Sequence, residues 1–288
     1  MNELFRQRHL TCASLTGLHR VAYLEWGDPA NDRVVVCVHS LTRCARDFDA
    51  LARALLPEYR VICVDLPGRG ESDWLESPAE YIVPTYVNDV VTLIARLDVE
   101  QVDWVGTSLG GIVGMVLGAR PGNPIRKLVV NDASPVIPAV ALERFGTDLG
   151  TTPEFDSIQE AERYIRTMSA PFGPHSDAEW RFLTEHVVRP GDNGGFRMRY
   201  DPAIAVPYDA QRPFKDVDLW AFWDAITCRA LVLRGAGSDV LGHDIAAQMT
   251  RRGPRAKLVE FPGIGHAPTL LHADQIAPVR EFLLAPDQ

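Results

Sequence analysis

The 288-residue sequence lacks most of the features that mark membrane, metal-dependent or nucleic-acid-binding proteins. No apolar run approaches the roughly 20 residues that a membrane-spanning helix needs, so we expect no membrane partner. The net charge of −9 is spread along the chain without a basic stripe, and nucleic acid is therefore not an expected partner either. There is no evident metal-ligand cluster and no dinucleotide-type glycine fingerprint in its strand–helix context, so we expect no metal and no cofactor.

Cysteine is scarce, and its spacing argues against a disulfide-stabilised secreted domain. The five cysteines form an odd set without a C-x-x-C motif: Cys12, Cys37, Cys44, Cys63 and Cys228. Cys37 and Cys63 fall within apolar strand candidates, where we expect them to be small buried side chains. Residues 1–20 are too polar for a secretory signal peptide, and we therefore expect a cytoplasmic protein.

Strand and helix patterns alternate along much of the chain, which predicts an α/β protein. With 46% hydrophobic and 23% charged residues, the composition is ordinary for a compact globular enzyme. The strand candidates lie near 9–15, 19–26, 33–38, 59–64, 101–106, 126–131, 229–234 and 256–261. Helical patterns separate the later strands, so we expect a mostly parallel sheet, with the first two strands forming an antiparallel hairpin at one edge.

The most informative motif is the G-x-S-x-G pentapeptide that has Ser108 at its centre. Residues 102–105 before it are apolar and β-prone, and residues 111–119 after it have a helical pattern with many small residues. A serine on such a strand-to-helix turn exposes its hydroxyl at the carboxyl end of the strand. Gly106 and Gly110 suit a strained turn at which strand and helix pack closely. We therefore predict that Ser108 is a nucleophile.

A serine nucleophile needs a general base and an acid that orients it, and in this architecture they follow the serine in the order acid, then histidine. Asp239 follows the strand candidate 230–235, and His266 lies in a glycine-bracketed loop after 258–261. All three side chains would then lie at the carboxyl edge of one parallel sheet. The order Ser108, Asp239, His266 is the predicted catalytic triad.

Asp132 is the alternative acid, because it directly follows the strand candidate 128–131. We favour Asp239, since the glycine-containing loop 235–239 can turn a carboxylate back toward the histidine loop. In that case Asp132 would be a capping or turn aspartate before the Ser-Pro pair that follows it.

Ester hydrolysis also needs two N–H donors for the oxyanion of a tetrahedral intermediate. One should be the backbone N–H of Leu109, which follows the nucleophile, and the other should come from the loop after an earlier strand. Residues 33–38 form the most strand-like segment, so Leu41 in the next loop is the candidate for the second donor. We expect His39 to bond to the loop backbone beneath the site rather than to act as a second base.

These residues together resemble the α/β-hydrolase fold family over most of the chain. The matching landmarks are 39–41, 65–73, 106–110, Asp239 and 265–266. The stretches 41–48 and 233–241 are similar to bacterial carboxylesterase and enol-lactonase-like members. The resemblance implies the α/β-hydrolase fold, with a mostly parallel eight-stranded sheet flanked by helices and a helical cap insertion.

The oxyanion loop departs from the family pattern at one position. Ser40 stands where the family usually has a glycine after the histidine. If that position requires a positive φ or a close backbone approach, serine would strain the loop or reshape the floor of the pocket.

The alternation of strands and helices stops between about residues 135 and 212, a stretch too long for a plain connection. The resemblance implies a cap over the serine at 135–212, with 1–134 and 213–288 as the core domain. Its aromatic residues either line the substrate pocket or form the cap's own core: Phe145, Phe155, Tyr164, Phe172, Trp180, Phe182, Phe196, Tyr200 and Tyr208. Trp220 and Trp223 lie nearby, and either substrate contact or core packing would suit them.

Two arginines near the predicted oxyanion loop are candidates for other roles. Arg43 would either clamp a substrate carboxylate through two parallel hydrogen bonds or form a structural ion pair with Asp47 or Asp49. Arg69 lies between two glycines, and we expect it to brace its loop rather than to bind a ligand.

The sequence therefore predicts a serine hydrolase that cleaves a small carboxylic ester or lactone through an acyl-enzyme on Ser108. One alternative is a carbon–carbon bond hydrolase that acts on a β-diketone with the same triad. Another is a ligand receptor without catalysis on the same scaffold, which an intact triad argues against. Fold alone does not identify the substrate or the oligomeric state.

Overall fold

The computed structural model describes residues 5–149, 153–192 and 194–286, and the ends of the predicted core domain, 1–4 and 287–288, lie outside this range. Its strands are β1 (Phe5–Ala13), β2 (Leu18–Trp26), β3 (Val34–Val38), β4 (Arg60–Val64), β5 (Val102–Thr107), β6 (Ile125–Asn131), β7 (Val136–Ile137), β8 (Glu154–Phe155), β9 (Val188–Pro190), β10 (Phe196–Met198), β11 (Val217–Asp218), β12 (Arg229–Gly235) and β13 (Lys257–Phe261). Its α-helices are α1 (Asp49–Leu55), α2 (Val83–Arg96), α3 (Leu109–Gly118), α4 (Ala139–Leu149), α5 (Ile158–Met168), α6 (Asp177–Glu185), α7 (Val206–Asp209), α8 (Trp220–Ala225), α9 (His243–Met249) and α10 (Ala273–Leu284).

The main sheet has eight strands in the order β1-β2-β4-β3-β5-β6-β12-β13. The pairs β1–β2 and β2–β4 are antiparallel, and every later neighbouring pair is parallel. The predicted α/β class, the mostly parallel eight-stranded sheet and the first hairpin are thus confirmed. This order brings the carboxyl ends of β3, β5, β6, β12 and β13 to one edge of the sheet.

The centre of the sheet is buried on both faces, which explains why the sequence of β3 is apolar throughout. Along β3, the side chains of Val34, Val36 and Val38 belong to one hydrophobic cluster. The alternate side chains of Val35 and Cys37 belong to a second cluster on the opposite face, and all five are at most 1% exposed. Because helices cover both faces, the reactive edge has a rigid support.

The segment between β6 and β12 forms the wall above that edge. It contains helices α4 to α8, a three-stranded sheet in the order β8-β10-β9, and the two-stranded pair of β7 with β11. Buried residues of this segment, such as Leu149, Ile165 and Trp180, share a hydrophobic cluster with Val36 of the main sheet. The β7–β11 pair joins the two ends of the segment at 136–137 and 217–218, the latter beyond the predicted cap boundary at 212.

The five cysteines are all free, and Cys37 and Cys63 are fully buried at paired positions of β3 and β4. Their predicted role as small buried side chains is confirmed. Within the described ranges, none of the helices combines the length and the apolar character required to cross a bilayer.

Candidate active site

Ser108 occupies the sharp turn between β5 and α3. Its φ of 51° and ψ of −110° are unusual for a residue with a side chain, and its N–H donates to the Asn131 carbonyl at 2.9 Å. A Cβ at Gly106 would lie 2.1 Å from the Gly110 carbonyl oxygen, and one at Gly110 would lie 1.9 Å from the Val38 carbonyl oxygen. The two glycines are therefore required by close backbone contact, and the strained turn presents the serine hydroxyl.

His266 lies opposite this hydroxyl. Its Nε2 is 2.9 Å from the Ser108 Oγ, a distance suited to proton transfer. The histidine follows β13 in the loop anticipated from the sequence, and that loop is tied to the cap segment by the Gly265 N–H, which donates to the Pro171 carbonyl at 2.6 Å. The side chain of His266 is 15% exposed and lines the cavity, so substrate can reach it.

Asp132 is the carboxylate that contacts His266, with its Oδ1 3.2 Å from Nδ1. It is fully buried and has a φ of 50°. The Ser238 hydroxyl donates to the same Oδ1 at 2.5 Å, and the Gly235 N–H donates to Oδ2 at 2.8 Å. Both oxygens of the carboxylate are therefore hydrogen-bonded, which is what a buried charge requires.

The prediction that Asp239 orients the histidine is wrong. The side chain of Asp239 is 53% exposed and forms an ion pair with Arg144 of α4. The loop after β12 does turn toward the site, but the residue that reaches the buried acid is Ser238, which bonds to Asp132. The alternative acid, at the end of β6, is the one that the fold places against the imidazole.

Leu41 and Leu109 both line the cavity together with Ser108. Among the described residues, neither N–H donates a hydrogen bond to another protein group. The Leu109 N–H is also the first of helix α3, where the helix dipole favours negative charge. Both groups therefore suit an oxyanion, as the sequence predicts.

His39 fixes the direction of one of these donors. Its Nδ1 donates to the Ser40 carbonyl at 2.6 Å, and its Nε2 accepts the Leu66 N–H at 3.0 Å. The Ser40 carbonyl and the Leu41 N–H belong to one trans peptide and point in opposite directions, so anchoring the carbonyl aims the N–H. Complete burial lowers the pKa of His39 to about 4, so the ring is neutral near pH 7. The expected structural role of His39 agrees with these contacts.

Arg69 braces the same loop from beneath. Its Nε donates to the Leu41 carbonyl at 2.8 Å, and its Nη1 donates to the Pro67 carbonyl at 2.8 Å and to the Tyr86 hydroxyl at 2.9 Å. The guanidinium is 1% exposed and does not line the cavity. Arg69 is a loop brace, as expected.

Ser40 causes no backbone strain at the oxyanion loop. It is absent from the positive-φ residues of the described chain, so the glycine of related proteins is not required here. Ser40 is one of the residues that line the cavity.

Arg43 and Trp223 were the two predicted substrate contacts. Arg43 forms a fork with Asp47, with Nη2–Oδ1 and Nε–Oδ2 distances of 2.6 and 2.8 Å, so the structural ion pair is the alternative that the structure shows. Asp49 pairs instead with Arg46. Trp223 is fully buried, donates its indole N–H to a backbone carbonyl and does not line the cavity. Core packing is therefore the alternative that the structure shows for Trp223, because α8 buries it.

The cavity above Ser108 has a volume of about 570 Å³, within the range of small-molecule sites. Its wall is mainly apolar, and the segment between β6 and β12 supplies much of it. Five of the nine aromatic residues considered between 135 and 212 line the cavity: Phe145, Tyr164, Phe172, Tyr200 and Tyr208. Burial raises the pKa of Tyr208 to about 12, so its phenol is neutral. Phe155 and Trp180 instead belong to the buried core.

One group of potential metal ligands escaped the sequence analysis. Cys12 and His19 lie opposite each other on β1 and β2, and with Asp89 of α2 they form a buried set whose ligand atoms lie within 4.8 Å of one another. The His19 Nε2 is 3.0 Å from the Asp89 Oδ2. This contact joins the first hairpin to α2, and none of the three residues lines the cavity.

Other functional residues were also missed. Asn131 donates to the Thr107 Oγ1 at 3.1 Å and to the Pro268 carbonyl at 2.8 Å, so it ties the serine turn to the histidine loop. The position of Asn131 at the end of a strand was the only available signal. Arg144 gave no signal, since arginine is common on exposed helix faces.

Comparisons with known proteins agree with this geometry. The model of the alpha/beta hydrolase family matches residues 35–279. A 3-hydroxybutyrate-oligomer hydrolase from Cupriavidus necator is 47% identical over 278 residues, which cover 94% of this chain and 95% of the relative. A pimeloyl-[acyl-carrier protein] methyl ester esterase from Xanthomonas campestris is 27% identical over 253 residues, 84% of this chain and 91% of the relative.

Among solved structures, an alpha/beta hydrolase from Novosphingobium aromaticivorans has a TM-score of 0.86 and 35% identity, covering 97% of this chain and 98% of its own. The matched range spans the serine turn, the buried acid and the histidine loop. The chain belongs to the alpha/beta hydrolase family and is an enzyme that hydrolyses ester bonds.

Proposed function

We propose that the protein cleaves short esters of hydroxy acids, with oligomers of 3-hydroxybutyrate as the first candidates, through an acyl-enzyme on Ser108. The observation that carries the proposal is the chain of contacts from Ser108 through His266 to Asp132 beneath a mainly apolar cavity. The relative that is 47% identical is named a 3-hydroxybutyrate-oligomer hydrolase, which supports this substrate class.

Acylation follows from the contacts at the serine. The His266 Nε2 takes the proton of the Ser108 hydroxyl while the oxygen attacks the ester carbonyl. The Asp132 carboxylate at Nδ1 keeps the imidazole in the required tautomer and stabilises its cation. The N–H groups of Leu41 and Leu109 bind the oxyanion of the tetrahedral intermediate. His266 then returns the proton to the departing alcohol oxygen.

Deacylation uses the same groups in the opposite direction. A water molecule gives a proton to His266 and attacks the acyl carbonyl, and Ser108 leaves with the proton restored. For an ester of two hydroxy acids, the alcohol released first is itself a hydroxy acid. The apolar walls of the cavity suit the methyl and methylene groups of such chains.

The test is a direct assay of acid release from the dimer and trimer of 3-hydroxybutyrate. The same assay includes p-nitrophenyl acetate, a γ-lactone and a β-diketone, so ester, lactone and carbon–carbon cleavage are compared. We expect the oligomers to be cleaved with the highest kcat/KM and Ser108→Ala to abolish turnover. Preference for the lactone or the diketone would overturn the proposal, and a fluorophosphonate probe that fails to label Ser108 would overturn the mechanism.

A further inference from the structure

Helix α4 places a cation in the wall of the catalytic cavity. Arg144, Phe145 and Asp148 of this helix all line the cavity with Ser108 and His266. The ring centroid of Phe145 is 6.4 Å from that of the His266 imidazole, and Arg144, the preceding residue of α4, lines the same cavity.

The charged residues of the wall are Arg43, Arg144, Asp148 and Asp239, and the two arginines differ in their surroundings. Arg43 is 7% exposed and is fixed by Asp47 and by the Leu183 carbonyl. The side chain of Arg144 is 44% exposed, and its partner Asp239 is 53% exposed. An ion pair between two exposed side chains is weak, because water solvates both members once they separate.

The proposed substrate class has a group that matches this cation. This inference rests on the proposed function, since every linear oligomer of a hydroxy acid ends in a free carboxylate. In a 3-hydroxybutyrate dimer that carboxylate belongs to the alcohol part, which departs with the proton from His266. It therefore lies on the leaving-group side of the ester, a few bonds from the scissile oxygen.

We propose that Arg144 binds the free carboxylate of the substrate and that Asp239 occupies the same guanidinium between turnovers. A guanidinium and a carboxylate form two parallel charge-assisted hydrogen bonds, and the Asp239 contact already uses Nη1 and Nη2 of Arg144. The incoming carboxylate takes the place of Asp239, whose half-exposed side chain turns into solvent. The number of ion pairs is unchanged, so the preference for acids comes from the substrate pair, shielded from water inside the filled cavity, being stronger than the exposed pair with Asp239.

Release of the product follows from the same exchange. After acylation the free hydroxy acid is held at Arg144 by its carboxylate alone. Asp239 competes for the guanidinium at the high effective concentration of a tethered group, and so it promotes departure of the acid. Asp239 thus has a place in the cavity wall although it does not contact His266.

The test compares 3-(butanoyloxy)butanoate with its primary amide, 3-(butanoyloxy)butanamide, which has the same shape without the charge. We expect Arg144→Gln to lower the ratio of kcat/KM for the acid to that for the amide by roughly 10- to 100-fold, as expected for loss of a hydrogen bond between charged groups. Arg144→Lys should retain only part of the preference, because lysine lacks the planar fork. Asp239→Asn should raise the ratio by lowering KM for the acid.

Arg181→Gln is the matched control. Arg181 lies on α6, is 65% exposed, is 3.9 Å from its nearest carboxylate and does not line the cavity, so this variant should leave the ratio unchanged. Equal loss on both substrates in Arg144→Gln, or a lower ratio in Asp239→Asn, would overturn the role of Arg144 alone. A wild-type enzyme that cleaves p-nitrophenyl acetate but neither butanoyl ester would overturn the proposed function as well.

Discussion

Replacing Asp132 by asparagine should impair turnover far more than the same change at Asp239. The buried carboxylate accepts three hydrogen bonds, from the His266 ring, from the Ser238 hydroxyl at 2.5 Å and from the Gly235 N–H at 2.8 Å. An asparagine of the same shape must direct its NH2 group to one of the two carboxylate-oxygen positions. Each orientation has a different consequence for the histidine.

If the NH2 group takes the Oδ2 position, it faces the Gly235 N–H, and two donors oppose each other in a fully buried place. If it takes the Oδ1 position, the amide donates to His266 Nδ1 and also faces the Ser238 hydroxyl, whose oxygen already accepts the Val240 and Leu241 N–H groups. Each orientation therefore opposes two donors in a buried place, and the second also forces the imidazole proton onto Nε2. With Nε2 protonated, His266 cannot accept the proton of Ser108.

The wrong tautomer of a triad histidine lowers kcat by about 10⁴-fold in serine proteases, a magnitude taken from those enzymes, and this equals roughly 5 kcal/mol of barrier. We expect a similar loss in Asp132→Asn, measured as kcat on p-nitrophenyl acetate with thermal unfolding to verify the fold. Asp239→Asn should stay at least about 100-fold more active on this neutral ester, since Asp239 contacts only the exposed Arg144. The reverse ranking would refute the assignment of the acid.

Three further predictions concern the turn, the loop and its histidine. Gly110→Ala should abolish labelling by a fluorophosphonate probe, because the new Cβ would lie 1.9 Å from the Val38 carbonyl oxygen; normal labelling would contradict the close contact. Ser40→Gly should lower the free energy of unfolding by about 0.5–1 kcal/mol, since glycine adds backbone freedom at a position without positive φ; stabilisation measured by urea unfolding would show hidden strain. The pKa of His39 is lowered to about 4, so its contribution to stability is complete above pH 6.5, the usual value, and declines by roughly 3 kcal/mol as pH falls toward 4. His39→Gln should lose that pH dependence. Burial raises the pKa of Asp65 to about 6, which gives an opposite contribution, and subtracting the variant's free energy of unfolding from that of the wild type at each pH removes it. If the two proteins showed the same dependence of unfolding free energy on pH, the neutral, buried state of His39 would be contradicted.

The catalytic serine and histidine were predictable because their signals are local. Gly106 and Gly110 mark the turn by their spacing alone, and His266 follows a strand within a short glycine-bracketed loop. The inner strands of the main sheet, such as β3 and β12, were predictable for a similar reason, since each contains a run of buried apolar residues. In the segment after β6, the strands are only two or three residues long, and no periodicity can be read from so few positions.

The acid could not be decided from sequence, because Asp132 and Asp239 both follow strands that end at the same sheet edge. The choice depends on a φ of 50° at Asp132 and on the Ser238 hydroxyl, neither of which has a sequence signature. The choice between substrate contact and core packing for Trp223 could not be made from sequence for a related reason. A short helix with several aromatic residues does not show which one faces the core, and α8 buries this one completely.

Because the acid lies at the end of β6, the residue that orients His266 is not the residue that pairs with Arg144 in the cavity wall. Because the proton relay does not use the side chain at position 239, that position can be altered without direct damage to the catalytic groups. Laboratory evolution for a new leaving group could therefore begin with libraries at 239 and at its partner 144. Positions 235 and 238 should stay fixed in such libraries, because a Cβ at 235 would lie 2.1 Å from the Gly265 carbonyl oxygen and the hydroxyl at 238 bonds to Asp132.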